Sequence, residues 1–220
     1  MGRTPSDIEP RIVEAARARF LHEGVDGASL RAIARDAGTS IGMVYYYFPT
    51  KNDLFLAVVE EVYAKLLHDL ETELASGTSV DDRLRRLSAR IGAATDDELK
   101  VIRLVICEAL ISSDRLDRVV ARFQRGHLPL VVSALADGVE AGAIDASIPL
   151  PVLMMCALGL GVVPQIVRRI GGKYPHFAGL PESGELARAL MTVLFHGIGP
   201  KNAPETRERR PAGGTVAKPK

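Results

Sequence analysis

Apolar residues recur at spacings of three and four along most of the chain, and no β-alternating segment of useful length appears. Val13, Ala16 and Phe20 form one face of a first helix. Ser6 and Asp7 stand where caps belong, and Gly24 ends the helix. Ser29 opens a second segment, SLRAIARDAG, whose inward stripe is Leu30, Ile33, Ala34 and Ala37, and Gly38 stops it. Ser40 caps a third, IGMVYYYF, which must end before Pro49 because a residue ahead of proline resists the helical region. Thr50 then starts a fourth helix, with Asp53 three residues on in a capping-box arrangement. The run LFLAVVEEVYAKLLHDLETEL carries the periodicity to about Leu74.

Beyond it, the pattern predicts helices over 80–94, 98–111, 114–141, 151–170 and 182–197. Gly77, Asp96-Asp97, Ser112-Ser113, Gly142 to Pro149 and Gly171 to Pro181 separate them. Pro129 should kink the third of these or split it near Gly126. The expected fold is therefore all-α with about nine helices. A three-helix helix-turn-helix head over 1–49 precedes a helical body over 50–199. The helix 50–74 links the two, and a disordered basic tail spans 200–220.

Composition narrows the partners. Net charge is +1 in 220 residues, but it divides into +1 over 1–51, −4 over 52–199 and +4 over 200–220. This excludes a uniformly basic nucleic-acid coat and leaves a small binding head on a mildly acidic body. The basic tail can add non-specific phosphate attraction or can be a solvated end. Cys107 and Cys156 lie in apolar helical runs with no metal-type spacing, which predicts buried free thiols in a reducing cytoplasm. The uncharged stretch Ile148–Val163 is shorter than the ~20 apolar residues a membrane-spanning helix needs, so no membrane partner is expected and a buried or interface helix is.

Four of the chain's few aromatics stand together in GTSIGMVYYYFPTKNDL. On a helix, Ile41, Val44 and Phe48 share the face that can pack on Phe20, Leu30 and Ile33. Gly42, Met43, Tyr45, Tyr46 and part of Tyr47 are left outward. Tyrosine hydroxyls beside Lys51 suit phosphate oxygens, and their rings suit sugar or thymine methyl. Ser40 and the free N–H groups at that helix start could take a phosphate. Thr39 fits a turn role, Met43 can touch bases or cover surface, and Arg31 and Arg35 lie four apart on the second helix. The alternative is that the aromatics are glue between head and body.

The segment SLRAIARDAGTSIGMVYYYFPTKNDLFLAVV resembles the DNA-binding signature of the TetR/AcrR transcriptional regulators. Ser29, Ile33, Ala34, Ala37, Gly38, Ser40, Gly42, Tyr45, Tyr46, Phe48, Lys51 and Leu54 stand in register with it. Thr39 and Tyr47 depart, where Val and His are usual. The resemblance covers roughly residues 10–60. It implies a homodimer whose last two long helices form a four-helix bundle, with two heads reading the half-sites of a palindromic operator. It further implies a repressor released by a small molecule, with Ser40, Gly42, Tyr45, Tyr46, Tyr47 and Lys51 at the DNA. Arg31, Thr39 and Met43 complete the expected DNA-binding set.

The body's own residues fit that expectation. The helix 151–170 begins VLMMCALGLGVV, apolar all round, and Gly159 and Gly161 allow close approach. Leu153, Ala157, Leu160 and Gly161 with Leu186, Leu190, Val193 and Leu194 are the expected two-fold interface; a purely monomeric core is the alternative. Arg103, Cys107, Glu108, His127, Met155 and Gln165 are candidates for the polar and soft anchors of a mostly apolar effector pocket. The alternative for Arg103 and Glu108 is that both face solvent, and for His127 that it is a plain satisfied or exposed histidine. No cofactor or metal is called for. The histidines His22, His68, His127, His176 and His196 lack ligand spacing, and there is no HExxH, nucleophile elbow or phosphate loop, so no enzyme is expected. The rival class is a non-catalytic helical binding or scaffold protein with a non-functional head.

Overall fold

The computed structural model describes residues 7–74, 79–171, 174–177 and 179–197. Ser6, Gly77 and the tail 200–220, singled out above, lie outside them. Among the described residues every α or β element is a helix. The head is α1 (Ile8–Gly27), α2 (Leu30–Asp36) and α3 (Ile41–Tyr47). The body is α4 (Lys51–Leu74), α5 (Val80–Gly92), α6 (Asp96–Ile111), α7 (Ser113–Gln124), α8 (His127–Glu140), α9 (Leu150–Gly161), α10 (Val163–Gly171) and α11 (Ser183–His196).

Among the described residues eleven α-helices stand where nine were expected, because two long ones are split. The 114–141 helix divides at Arg125-Gly126, ahead of Pro129. The 151–170 helix breaks at Val162, next to Pro164, whose ring nitrogen has no hydrogen to donate. The local signals act mostly as expected. Gly38 turns the chain between α2 and α3 at φ +63°, where a side chain would be strained. Ser40 accepts from the Met43 N–H at 3.3 Å. Thr50 and Asp53 cap each other: the Thr50 N–H donates to the Asp53 carboxylate at 2.9 Å and the Asp53 N–H to Thr50 Oγ1 at 3.1 Å. The Thr50 hydroxyl also donates to that carboxylate, at 2.7 Å, and is the main cause holding the Asp53 carboxyl below the usual carboxylate range.

The head has no private core. Ile12, Ala16, Phe20, Ile33, Val44 and Phe48 form one buried cluster with Leu54, Phe55, Val58 and Val59 of α4, and with Leu104 and Val119 of the body. A second cluster, from Leu66, Leu70 and Leu84 to Val131, Leu135, Ala157 and Met191, fills the far end. Helix α4, about 36 Å long at 1.5 Å per residue, runs through both and is their mechanical link.

Two expectations are corrected. Cys107 is free but exposed, and Cys156 is free and only partly buried, since each falls on an outer part of its helix. The Leu150–Gly171 stretch is apolar and long enough to cross a membrane by composition, with a mean hydropathy of 2.1 over 18 of its residues, yet only 17% of those are buried. It is therefore not enclosed on several sides within one chain: Ala157 and Gly161 face inward, while Met155 is 72% and Leu158 58% exposed. The residues of the expected interface are spread over the inner and flanking sides of α9 and α11. Leu186 and Ala157 are buried, and Leu153, Leu190 and Leu194 pack on the chain's own second cluster. Leu160 and Val193 are half-buried and Gly161 buried. The outward side of α11 carries Glu185, Arg188, Ala189, Thr192 and His196.

Where α5, α10 and α11 meet, Gly92 is required by a buried polar knot. Gln165 donates to Ser88 Oγ at 3.3 Å and to the Ser183 carbonyl at 2.9 Å. A Cβ on Gly92 would stand 2.1 Å from Gln165 Oε1 and 2.2 Å from Ser183 Oγ. Gly92→Ala should therefore cost about 2 kcal/mol, as overpacking in a filled core does; urea unfolding checks this, and an unchanged midpoint would show that the knot yields freely.

Candidate nucleic-acid interface and body cavity

On α3 the sequence separates two faces. Val44 is fully buried and Phe48 is 6% exposed, while Tyr45 and Tyr46 are 53% and 77% exposed. Tyr46 stacks edge-on against Tyr47 at 5.2 Å, which steadies a ring otherwise free in water. Tyr47 itself packs partly on the head core and lies 6.4 Å from Phe48, so it both steadies and covers. Arg31, Ser40 and Gly42 are exposed, and Thr39 and Met43 half-buried, around the same turn and helix. These residues belong to α2, α3 and the turn between them, on the surface of the head. The Lys51 ammonium donates to the Asp26 carbonyl at 3.0 Å, tying the start of α4 to the end of α1.

Behind that surface the head is locked to the body by one network. Helix α1 is interrupted at Gly24 (φ +72°, ψ 168°), so the buried Val25 N–H loses its helical acceptor. The Glu108 carboxylate on α6 accepts it at 3.0 Å. Glu108's other oxygen pairs with Arg115 of α7, and both residues are buried. Arg115 also pairs with Asp26 and donates to Asn52 Oδ1 at 3.1 Å. The hydrogen bond from Arg115 is the main cause holding the Asp26 carboxyl low. Two further arginines on α7 extend the contact along α4: Arg118 to Asp53 at 2.8 Å, and Arg122 to both Glu60 oxygens at 2.5 and 2.7 Å.

At the end of that row is a cavity of about 380 Å³, within the size range of small-molecule sites. Its wall is built by Val59, Tyr63 and Leu66 of α4, Val101, Ile102 and Val105 of α6, Phe123 of α7, Val131 of α8, Met154, Met155 and Leu158 of α9 and Ile166 of α10. The polar groups on it are His127 and the Tyr63 hydroxyl. Tyr63 Oη lies 2.7 Å from His127 Nδ1 and accepts the His127 N–H at 3.2 Å. The Arg122 guanidinium sits 4.6 Å over the Tyr63 ring. Burial, and after it the nearby Arg122 charge, push His127 down to about 4. Burial raises the Tyr63 hydroxyl. Gly126 makes the corner possible, since a Cβ there would fall 2.3 Å from Tyr63 Oη.

Of the six pocket candidates, His127 and Met155 line this cavity. The other four do not. Arg103 and Cys107 face solvent on the outer side of α6. Glu108 belongs to the head–body network, and Gln165 to the knot at Gly92. Tyr63, Phe123 and Arg122 were not among the candidates. Tyr63 reads as a helical core position, and nothing local pairs it with a histidine 64 residues away. Among the described residues no group of His, Cys, Asp and Glu is placed to hold a metal.

Residues 12–58 match the family described as bacterial regulatory proteins, tetR family. The HTH-type transcriptional repressor SCO4008 of Streptomyces coelicolor is 30% identical over 176 residues, covering 77% of this chain and 86% of that protein. The fatty acid metabolism regulator protein of Bacillus subtilis is 21% identical over 136 residues, 61% of this chain and 69% of its own. Among solved structures, the regulator FadR from Bacillus subtilis in complex with stearoyl-CoA superposes with a TM-score of 0.68 at 18% identity, covering 86% of this chain and 99% of that one. FadR from Bacillus halodurans gives 0.64 at 19% identity, covering 90% and 98%.

A consequence for stability follows from His127. Above pH 6.5 its ring is neutral in folded and unfolded chains alike. Between pH 6.5 and 4 the unfolded chain takes up a proton that the folded one refuses, so stability falls with pH and then levels off. His127→Gln should make that fall shallower by up to about 3 kcal/mol. Denaturant unfolding at pH 7, 5.5 and 4.5 measures it; identical slopes in both proteins would mean that the folded ring titrates normally.

Proposed function

Because the chain belongs to the TetR family of bacterial regulatory proteins, we propose that this DNA-binding regulator acts in the cytoplasm as a homodimeric repressor. It holds a palindromic operator through α2 and α3 and lets go when a largely hydrophobic small molecule fills the body cavity. The observation that carries this reading is that one helix serves both sites. Helix α4 begins at Lys51, bonded to the end of α1, and the same helix supplies Val59, Tyr63 and Leu66 to the cavity wall.

The chemistry of each part supports its role. Tyr45 and Tyr46 offer exposed hydroxyls beside Ser40, Gly42 and Arg31, a set suited to phosphate and groove contacts. The cavity wall is aliphatic and aromatic except at His127 and Tyr63, which suits an acyl chain or a similar apolar molecule. A solved structure of like fold holds stearoyl-CoA, which agrees with that class. For the second subunit, the uncovered apolar side chains Val152, Met155 and Leu158 on α9 supply the dimer face, in place of the inward residues expected from the sequence. Two heads then have to meet adjacent major grooves about 34–36 Å apart. A ligand that moves α4 changes that separation through Lys51 and the α7 arginines.

Selection of genomic fragments with the purified protein, followed by footprinting, tests the reading. The expected result is a protected palindrome bound by a dimer. Tyr46→Ala should weaken binding by about tenfold or more, the scale of lost contacts at a few kcal/mol, without moving the unfolding midpoint, since the ring is mostly in water. Absence of any protected site together with a monomeric mass would favour a helical ligand-binding protein whose head does not read DNA.

A further inference from the structure

The cavity wall is so apolar that its one polar pair determines what else a ligand must carry. Tyr63 Oη accepts the His127 backbone N–H and lies 2.7 Å from His127 Nδ1. Its single proton is therefore free to go to Nδ1, and a neutral imidazole bonded that way keeps its own proton on Nε2. No partner holds Nε2 among the described residues, while the ring lines the cavity. The ring is fixed from three sides: by the Tyr63 hydroxyl, by the Phe123 ring at 4.8 Å and by the first turn of α8, where His127 stands. A donor held rigidly at the edge of an apolar cavity selects for an acceptor at one place on the ligand.

The sign of the ligand's charge also follows. Arg122, the cation beside the pair, is committed to both oxygens of Glu60. The rest of the wall offers nothing to a carboxylate or an ammonium, and an unpaired charge in such a place is costly. We infer that the cavity takes a neutral, oxygen-bearing hydrophobe whose carbonyl, of ester, thioester or ketone type, accepts a hydrogen bond from His127 Nε2, with Tyr63 as the positioning residue that fixes the donor. This rests on the reading of the cavity as the effector site and specifies the effector's chemistry.

The test uses the full-length protein at pH 7.5 and a fluorescent apolar reporter, N-phenyl-1-naphthylamine, displaced by decane, methyl decanoate or decanoate. These share a chain and differ at the head. In the wild type, methyl decanoate should compete about tenfold better than decanoate. His127→Leu should weaken the ester about tenfold and leave decane unchanged, a ratio of ratios that cancels their different solubilities. His127→Gln, which keeps a donor, should recover part of the ester's affinity, and Tyr63→Phe should lose part of it. Circular dichroism and the thermal midpoint of each variant establish that it is folded. If the ester and decane change together in every folded variant, or if decanoate competes best, the assignment of His127 is overturned while the cavity remains a binding site. If the reporter does not bind, or none of the three displaces it, the cavity is not an effector site and both readings fall.

Discussion

A single backbone N–H organises the junction between head and body. Gly24 bends α1 out of the helical region, and the Val25 N–H, buried at that bend, needs an acceptor from elsewhere. Glu108 supplies it across 83 residues of chain. A carboxylate brought that deep needs a cation in turn, and Arg115 meets it while also holding Asp26 and Asn52. Four helices are thus fixed by one chain of electrostatic necessity: α1 by its bend, α6 by Glu108, α7 by Arg115 and α4 by Asn52. The bend itself calls for glycine, because Gly24 sits at φ +72°, where a side chain would be strained.

The rest of the molecule depends on that junction. With the head fixed to the start of α4, the outward face of α3 has a defined orientation relative to the body. With α7 laid along α4, Arg118 and Arg122 continue the ionic contact to the wall of the cavity. Arg122 then covers the Tyr63 ring and adds its charge to the burial that depresses His127, so the polar pair in the cavity adjoins the last step of the same series. In the proposed switch this continuity does what a flexible linker could not: a change in the cavity wall is felt where Lys51 and Asn52 meet the head. It also explains why the two hydrophobic clusters do not coincide with head and body, since the first spans the junction and includes Leu104 and Val119.

Short-range physics made much of this legible in sequence. Caps and turn glycines gave the head helices and their phases, because Ser40, Thr50, Asp53 and Gly38 act on residues within four positions of themselves. The outward tyrosines followed from the same phase. Long-range pairing was not legible. Glu108 reads as a solvent residue in an apolar helix until the bend at Gly24 is placed beside it. Gln165 reads as a pocket anchor until Ser88 and Ser183 arrive from two other helices. Leu153, Leu190 and Leu194 carry an apolar stripe that periodicity finds but cannot assign, since a stripe facing its own core and one facing a partner look alike. The break at Val162, two residues before Pro164, was not read from the sequence, and its effect on which side of α9 is covered needed the neighbours.

Amide hydrogen exchange on the wild type and Arg115→Met, compared residue by residue, tests the role of the junction most directly. Methionine fills much of the arginine's volume but leaves Glu108 buried and unpaired, a loss on the order of 3–5 kcal/mol. The account predicts that protection falls together at Val25, across the head helices 8–48 and in the first turns of α4, while α5 and α11 keep theirs. Uniform loss over the whole chain, or unchanged protection in the head, would contradict the claim that this buried pair is what fixes the head to the body.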